Sequence, residues 1–126
     1  MDSDYHFRFE DLQICSKAMD FGELVNILTK KFPKDERFEL TSQFKRASDS
    51  IALNIAEGSA GTDPQFHNYL GNSWYSTNEC VSCATKAYLR NYISKEESEE
   101  IRKQCFELSK MISTLRAKIK NRMTKK

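Results

Sequence analysis

Apolar residues recur along this chain at alternating steps of three and four positions, in four segments of similar length. Such spacing places the apolar side chains on one face of an α-helix. The four stripes are Ile14, Ala18, Phe21, Val25, Leu28 and Phe32; Leu40, Phe44, Ala47, Ile51, Ile55 and Gly58; Phe66, Leu70, Ser73, Thr77, Cys80, Ala84 and Tyr88, with Val81 beside them; and Ile101, Cys105, Leu108, Ile112, Leu115 and Ile119. The pattern predicts four amphipathic helices that bury one face each in a common core.

Three short breaks separate these segments. Pro33 lies in the first break, where it removes a backbone donor and restricts the residue before it. The second break, residues 58–64, contains two glycines and a proline, and its Asp63 is predicted to be the N-cap of the next helix. In the third break, Ser94 and Glu97 have the spacing of a capping box. The helices are therefore predicted near residues 9–31, 36–60, 64–91 and 95–122.

Short connections force consecutive helices to run antiparallel, so we expect an all-α, up-down-up-down four-helix bundle. The length of 126 residues corresponds to a single domain, residues 1–126, that can bury a core without a disulfide or metal staple. Four glycines and two prolines are too few for an all-β fold.

The cellular location is indicated by three features of the chain. No segment approaches the ~20 apolar residues that a membrane-spanning helix requires. The start is acidic and polar, unlike a secretory signal peptide. Four cysteines without an export signal are expected to be reduced thiols. We expect a cytoplasmic protein with no membrane partner.

Residues that could carry catalysis or bind a metal are few. Cys80 and Cys83 form a C-x-x-C pair, but the pair falls in the middle of a predicted helix, away from the N-terminus that would lower a thiol pKa. The two histidines, His6 and His67, lack metal-ligand spacing, and no glycine-rich phosphate loop follows a strand. We expect no enzyme activity, no cofactor and no metal. A thiol or metal site at Cys80 and Cys83 is the minor alternative.

A polar row runs along the second helix beside its apolar stripe, at Gln43, Arg46, Ser50, Asn54 and Glu57. Such a row is either a solvated flank or a hydrogen-bonded stripe buried against another surface. Glu57 lies near the end of the helix, where a negative charge opposes the macrodipole. We therefore expect it to have a partner, such as Arg46 or a neighbouring backbone amide.

Charge is distributed unevenly. Residues 108–126 hold seven basic side chains and no acidic one, so the preceding 107 residues carry 13 basic and 18 acidic side chains. A basic helix end can contact phosphates, or it can stabilise the helix C-terminus, where cations are favoured. The residues predicted to contact phosphate are Lys110, Arg116, Lys118, Lys120 and Arg122.

The second helix reads Ser-Ile-x-x-Asn-Ile-Ala-Glu-Gly over residues 50–58, within a longer run from residue 39. This run resembles the signature of the four-helix-bundle family named after the 23S rRNA intervening-sequence protein. The resemblance extends over nearly the whole chain, through residues 9–12 and 17–18 in the first helix, residues 32–38 in the first connection, and Leu70, Ser76 and Glu79 in the third helix. By this resemblance Gln43, Arg46, Ser50, Asn54, Glu57 and Gly58 organise the bundle or a subunit interface.

The chain departs from the family pattern at two places. Residues 60–62 read Ala-Gly-Thr where the family usually has an arginine, which removes one candidate basic contact. Ser73 and Tyr75 stand where the family usually has a small alanine and a glycine. We expect looser helix packing there, and we expect Trp74 and Tyr75 to lie at a subunit contact.

The resemblance implies a homo-oligomer, most simply a ring of five bundles. It also implies a distant similarity to the accessory protein of diversity-generating retroelements, which engages a reverse transcriptase and nucleic acid. The leading hypothesis is a non-enzymatic cytoplasmic homopentamer that binds RNA or a nucleic-acid-binding protein through its basic residues. The alternative hypothesis is a structural scaffold or adaptor that binds another protein and has no nucleic-acid role.

Overall fold

The computed structural model describes residues 2–125, and within them every regular element is helical. The four helices are α1 (Gln13–Thr29), α2 (Leu40–Ser59), α3 (Asp63–Leu89) and α4 (Lys95–Thr124). Single 3₁₀ turns precede α1 at Arg8–Asp11 and α2 at Lys34–Glu36. The predicted all-α four-helix bundle is confirmed. The turn at Arg8–Asp11 overlaps the start of the first predicted helix, whereas the turn at Lys34–Glu36 lies in the predicted break except for Glu36. α1 and α2 each begin four residues later than predicted, at 13 rather than 9 and at 40 rather than 36.

Contacts between helices show that neighbours run antiparallel. Lys31, two residues after α1, pairs with Glu97 near the start of α4, and Lys17 pairs with Glu107 farther along it, so α1 and α4 are antiparallel. The contacts of Asp63 with Arg122 and of Thr85 with Arg102 show the same for α3 and α4. The packing is most extensive between α2 and α3 and weakest between α1 and α4. A groove therefore stays open along the α1–α4 side of the bundle.

The core contains the apolar stripes of α1 and α2 in full, from Ile14 to Phe32 and from Leu40 to Gly58. In α3 the stripe includes two polar side chains that are buried and satisfied. Ser73 donates to the backbone carbonyl of Ile51, with an Oγ–O distance of 2.9 Å, and Thr77 donates to the carbonyl of Ser73 at 2.9 Å. Packing at Ser73 is therefore close, and the expectation of looser packing at that residue is wrong. The small serine fits between the helices and bonds across them.

Three details of the predicted stripes are wrong. The last core residue of α3 is Ala87, three positions after Ala84, and not Tyr88, which is four positions after it. Tyr88 is 41% exposed. Leu115 is only half-buried because it lines the open α1–α4 groove, close to the first residues of α1. Cys83 lies off the predicted stripe, yet it is buried with 1% of its surface exposed.

The helix termini carry the expected hydrogen bonds, with one change. The Ser94–Glu97 capping box is confirmed, with Glu97 N–H to Ser94 Oγ at 3.0 Å and Ser94 N–H to Glu97 Oε1 at 2.8 Å. At α3 the N-cap is Thr62 rather than Asp63, because Thr62 and Gln65 form a capping box of their own. No helix within residues 2–125 is long and apolar enough to cross a membrane.

Candidate functional site

A polar groove between α2 and α3 is lined by part of the sequence signature. It has a volume of about 270 Å³. The residues that line it are Gln43, Arg46, Ala47, Ser50, Ser76 and Glu79. Gln43, Arg46 and Ser50 belong to the predicted polar row of α2. Ser76 and Glu79 are two of the three residues by which α3 resembles the family. Helix packing thus brings two separate parts of the signature to one place.

Hydrogen bonds connect the two walls of this polar groove. Ser76 Oγ lies 3.0 Å from Ser50 Oγ, and Gln43 Nε2 lies 3.4 Å from Glu79 Oε2. Asn54 Nδ2 donates to the Ser50 carbonyl at 2.8 Å and to Ser50 Oγ at 2.9 Å. Gln43 and Ser50 of the row therefore bond to α3, while Asn54 bonds to Ser50 within α2.

The two charged members of the row remain at the surface. Arg46 and Glu57 are exposed, and in the described part of the chain neither side chain has a hydrogen bond or ion pair. The expectation that Glu57 has a partner, either Arg46 or a neighbouring backbone amide, is wrong. The two residues are eleven positions apart on one helix, about 16 Å along its axis, which is beyond the reach of both side chains.

Gly58 has a packing role at the end of α2. A Cβ atom at this position would lie 2.6 Å from Tyr69 Cβ and 3.0 Å from Phe66 Cδ1. Only a residue without a side chain lets the two helices approach this closely. The glycine of the signature is therefore explained by the α2–α3 contact.

The polar groove continues into a wider recess of about 450 Å³ at the start of α2. This recess adds Phe38, Glu39, Lys86 and Arg90 to its lining. The Phe38 side chain is almost fully exposed, and the Arg37 guanidinium lies 5.0 Å from the centre of its ring. The combined surface therefore presents an aromatic ring together with charges of both signs.

Beside this recess, a buried carboxylate holds the first connection against the end of α3. Glu36 is 7% exposed and accepts hydrogen bonds from Tyr92 Oη and from Arg90 Nη1, each at 2.7 Å. The hydrogen bond from Tyr92, followed by that from Arg90, lowers the pKa of Glu36 below its ordinary value. Sequence reasoning missed this cluster, because its members lie more than fifty positions apart and no periodic pattern links them.

Two of the five residues predicted to contact phosphate, Arg116 and Arg122, form hydrogen bonds with α3. Arg122 forms a bidentate pair with Asp63, with Nε–Oδ2 at 2.9 Å and Nη2–Oδ1 at 2.7 Å. Arg116 Nε donates to the backbone carbonyl of His67 at 3.2 Å, and its guanidinium lies against Gly71. These contacts attach the end of α4 to the start of α3.

The remaining three predicted phosphate contacts are exposed. Lys110 lies over the ring of Phe106, with 4.5 Å between its Nζ and the ring centre, and Lys118 and Lys120 face solvent. Burial, together with the positive charges of Arg116 and Lys120, lowers the pKa of His67. Residues 108–125 of α4 and its terminus, the basic end, carry six basic side chains and no acidic one; Lys126 lies outside the described residues.

The predicted interface aromatics differ in exposure. Trp74 is half-buried against the core, whereas Tyr75 is 69% exposed, and the two rings meet edge to face with their centres 5.4 Å apart. Tyr75 is thus the accessible member of the pair.

All four cysteines are free and buried. Burial raises the pKa of Cys83 to about 11 and that of Cys105 to about 12, so these thiols are protonated at neutral pH. Among residues 2–125, no group of three or more His, Cys, Asp or Glu side chains is arranged to hold a metal ion.

Comparison with known proteins gives a family and a fold. The family model of the 23S rRNA-intervening sequence protein matches residues 10–114. The crystal structure of a protein of unknown function from the S23 ribosomal protein family of Bacteroides thetaiotaomicron is similar, with a TM-score of 0.77 and 23% sequence identity over 82% of this chain and 95% of that one. No curated protein matches the chain. The matched family region includes the polar groove and ends before Arg116, Lys118, Lys120 and Arg122.

Proposed function

The chain belongs to the family of the 23S rRNA-intervening sequence protein, and we propose that it is a non-enzymatic, cytoplasmic bundle that self-associates and binds RNA phosphates through the basic end of α4. Free, buried thiols support a reducing compartment. The exposed aromatic ring of Tyr75 supports self-association, for which a closed ring of five copies is the proposed form.

The observation that carries the RNA-binding proposal is the basic end itself. Lys110, Lys118 and Lys120 are exposed, and no carboxylate lies within residues 108–125 to neutralise them. The ion pair between Arg122 and Asp63 holds the final turns of α4 against α3, so the lysines are presented from a rigid helix. Because phosphate is recognised through charge, such a surface binds RNA without base specificity.

A salt titration of RNA binding tests the proposal. Fluorescence anisotropy with a labelled single-stranded RNA would be measured over a range of salt concentrations. The variant Lys110→Gln/Lys118→Gln/Lys120→Gln should bind more weakly and should lower the slope of log K against log salt by about 2, since each lost contact accounts for about 0.7.

The matched control is Lys30→Gln/Lys34→Gln/Lys45→Gln, which removes three exposed lysines outside the basic end. It should retain the wild-type slope. Equal losses in the two variants would mean that binding is not located at the basic end, and no binding by the wild type at low salt would contradict the proposal.

A second candidate function, that of a protein scaffold, is favoured by the polar groove. Arg46, Lys86 and Glu39 line the groove and its recess as exposed charges, and within residues 2–125 they form no ion pair with one another. Capture of a protein from lysate that survives ribonuclease treatment and high salt, and that Arg46→Glu abolishes, would support this function over RNA binding.

A further inference from the structure

The open groove between α1 and α4 is apolar at its floor and basic at its rim. Ile14, Met111 and Leu115 supply apolar surface, while Lys110 and Lys118 stand two helical turns apart along one edge. The groove has a volume of about 450 Å³, and no acidic residue lines it. A matching occupant would be an acidic segment with large apolar side chains.

The chain contains such a segment at its start. Residues 2–7, the N-terminal arm, include Asp2 and Asp4 together with two aromatic residues that the bundle leaves uncovered. Tyr5 is 80% exposed and Phe7 is 62% exposed. The arm has a bend at Asp4 in this structure. When it is straightened into an extended strand, Tyr5 and Phe7 point to one face and the two aspartates to the other, so the extended arm presents an apolar side and an acidic side.

Charge and length both match the α1–α4 groove. From Lys110 to Lys118 the helix rises about 12 Å, whereas Asp2 and Asp4 lie about 7 Å apart in an extended arm, a difference of about 5 Å that the two long lysine side chains can span. The comparable apolar groove between α1 and α2 carries Glu23 and Asp49, which would repel an acidic arm. The α1–α4 groove is therefore the better electrostatic match.

The segment that joins the arm to the bundle lies against α1 and α2 and not in the α1–α4 groove. The 3₁₀ turn Arg8–Asp11 packs on α1 and α2, and it has no packing contact with α4 in the described part of the chain. Phe7 stacks on Phe9 of this turn, with the ring centres 6.1 Å apart, so the last residue of the arm is also held beside the turn. The groove is thus left open for the arm of another copy.

We propose that the N-terminal arm of each copy docks into the α1–α4 groove of the next copy. Tyr5 and Phe7 cover the apolar floor, and Asp2 and Asp4 pair with Lys110 and Lys118 of the receiving copy. Because the arm and the groove are different surfaces, the contact is heterologous, and repeated contacts of this kind close into a ring. The inference rests on the proposed self-association, and it assigns that association a contact.

A cysteine cross-link tests the docking directly in protein freed of RNA, since the same lysines serve the proposed phosphate contacts. The full chain would carry Ser3→Cys, on the aromatic side of the arm, together with Thr114→Cys in the groove. The four native thiols are buried and do not compete. Mild oxidation should produce a ladder of covalent multiples on a non-reducing gel. The control, Ser3→Cys with the exposed position Lys45→Cys on α2, should remain a single-chain band.

A charge exchange tests the same contact without oxidation. Asp2→Lys/Asp4→Lys and Lys110→Glu/Lys118→Glu should each shift the native mass to smaller species, and a chain carrying all four substitutions should regain the wild-type mass. An intramolecular disulfide, an absent ladder or a failed rescue, with an oligomeric wild type, would overturn the arm docking and leave self-association standing. A monomeric wild type at tens of micromolar would overturn both.

Discussion

Whether a side chain in this bundle is buried depends on the residues that neighbouring elements place against it. Glu36 is an acidic residue in a short turn, yet it is buried because Tyr92 and Arg90 close over it. Conversely, Leu115 continues an apolar stripe but stays half-exposed because it faces the open groove between α1 and α4. Residue type alone does not separate these outcomes, since each depends on a neighbour from another helix.

Glu36→Gln should destabilise the protein in a manner that depends on pH. The folded-state pKa of Glu36 lies below its ordinary value, so its stabilising effect is present above the unfolded pKa of about 4.3 and is lost as pH falls through the folded pKa. Urea unfolding should therefore show the largest difference from wild type near neutral pH and a smaller one below pH ~4. The control Asp35→Asn removes an exposed neighbouring charge. A difference that is constant with pH would contradict the role assigned to the Glu36 carboxylate.

Ile112→Ala and Leu115→Ala should differ in cost although both residues belong to the α4 stripe. Ile112 is fully buried, so its truncation should cost about 2–5 kcal/mol through lost transfer energy and a cavity. Leu115→Ala should cost less, because part of that side chain already contacts water. Chemical denaturation at low protein concentration measures both values, and a larger loss for Leu115→Ala would mean that the α4 faces are assigned wrongly.

At the scale of elements, the α2–α3 pair is the most specialised part of the bundle. Its packing is the most extensive, it contains the Ser50–Ser76 and Gln43–Glu79 contacts, and it ends in the close approach at Gly58. By contrast, the α1–α4 pair is loosely packed and leaves a groove. The bundle therefore has one side closed by polar and steric matching and one side available for contacts.

Gly58→Ala should destabilise the bundle by about 1–3 kcal/mol, because the new methyl group would overlap the backbone-proximal Cβ of Tyr69. The matched control is Gly22→Ala, also in a helix, where the nearest atom is Asp49 Oδ1 at 3.2 Å, the end of a flexible side chain. That substitution should be close to neutral or slightly stabilising, since alanine is the better helix former. Thermal unfolding of both variants gives the comparison, and equal effects would contradict the packing role of Gly58.

At the scale of the whole molecule, the proposed contacts depend on two segments of opposite charge, the acidic N-terminal arm and the basic end of α4. The acidic N-terminal arm and the basic end are brought to the same end of the bundle, because the start of α1 lies beside residues 110–118 of α4. Docking of the arm and RNA binding would therefore compete for Lys110 and Lys118, so RNA should weaken the contact between copies.

Native mass measurement in moderate salt should give a multiple of 14.7 kDa, with five copies expected. Tyr75→Ala should shift the population to smaller species while keeping the helical circular-dichroism spectrum, because the ring is exposed and contributes little to the core. It is a better variant than Trp74→Ala, which also removes packing against the core. Tyr88→Ala, at another partly exposed tyrosine of α3, should leave the mass unchanged; an equal effect would argue against a specific contact at Tyr75.

Local features of the sequence were sufficient for the number of helices, most residues of their inward faces, their antiparallel order and the Ser94–Glu97 cap. Periodicity and capping act over a few residues of one helix, so they can be derived without knowing the packing. Which polar residues meet was decided only by the tertiary structure. The rotation and axial offset of α2 against α3 bring Ser50 to Ser76. Those of α3 against α4 bring Asp63 to Arg122, so one of the residues predicted to contact phosphate forms an ion pair with another helix. No spacing along the chain encodes those offsets, because they result from how all four core faces fit together.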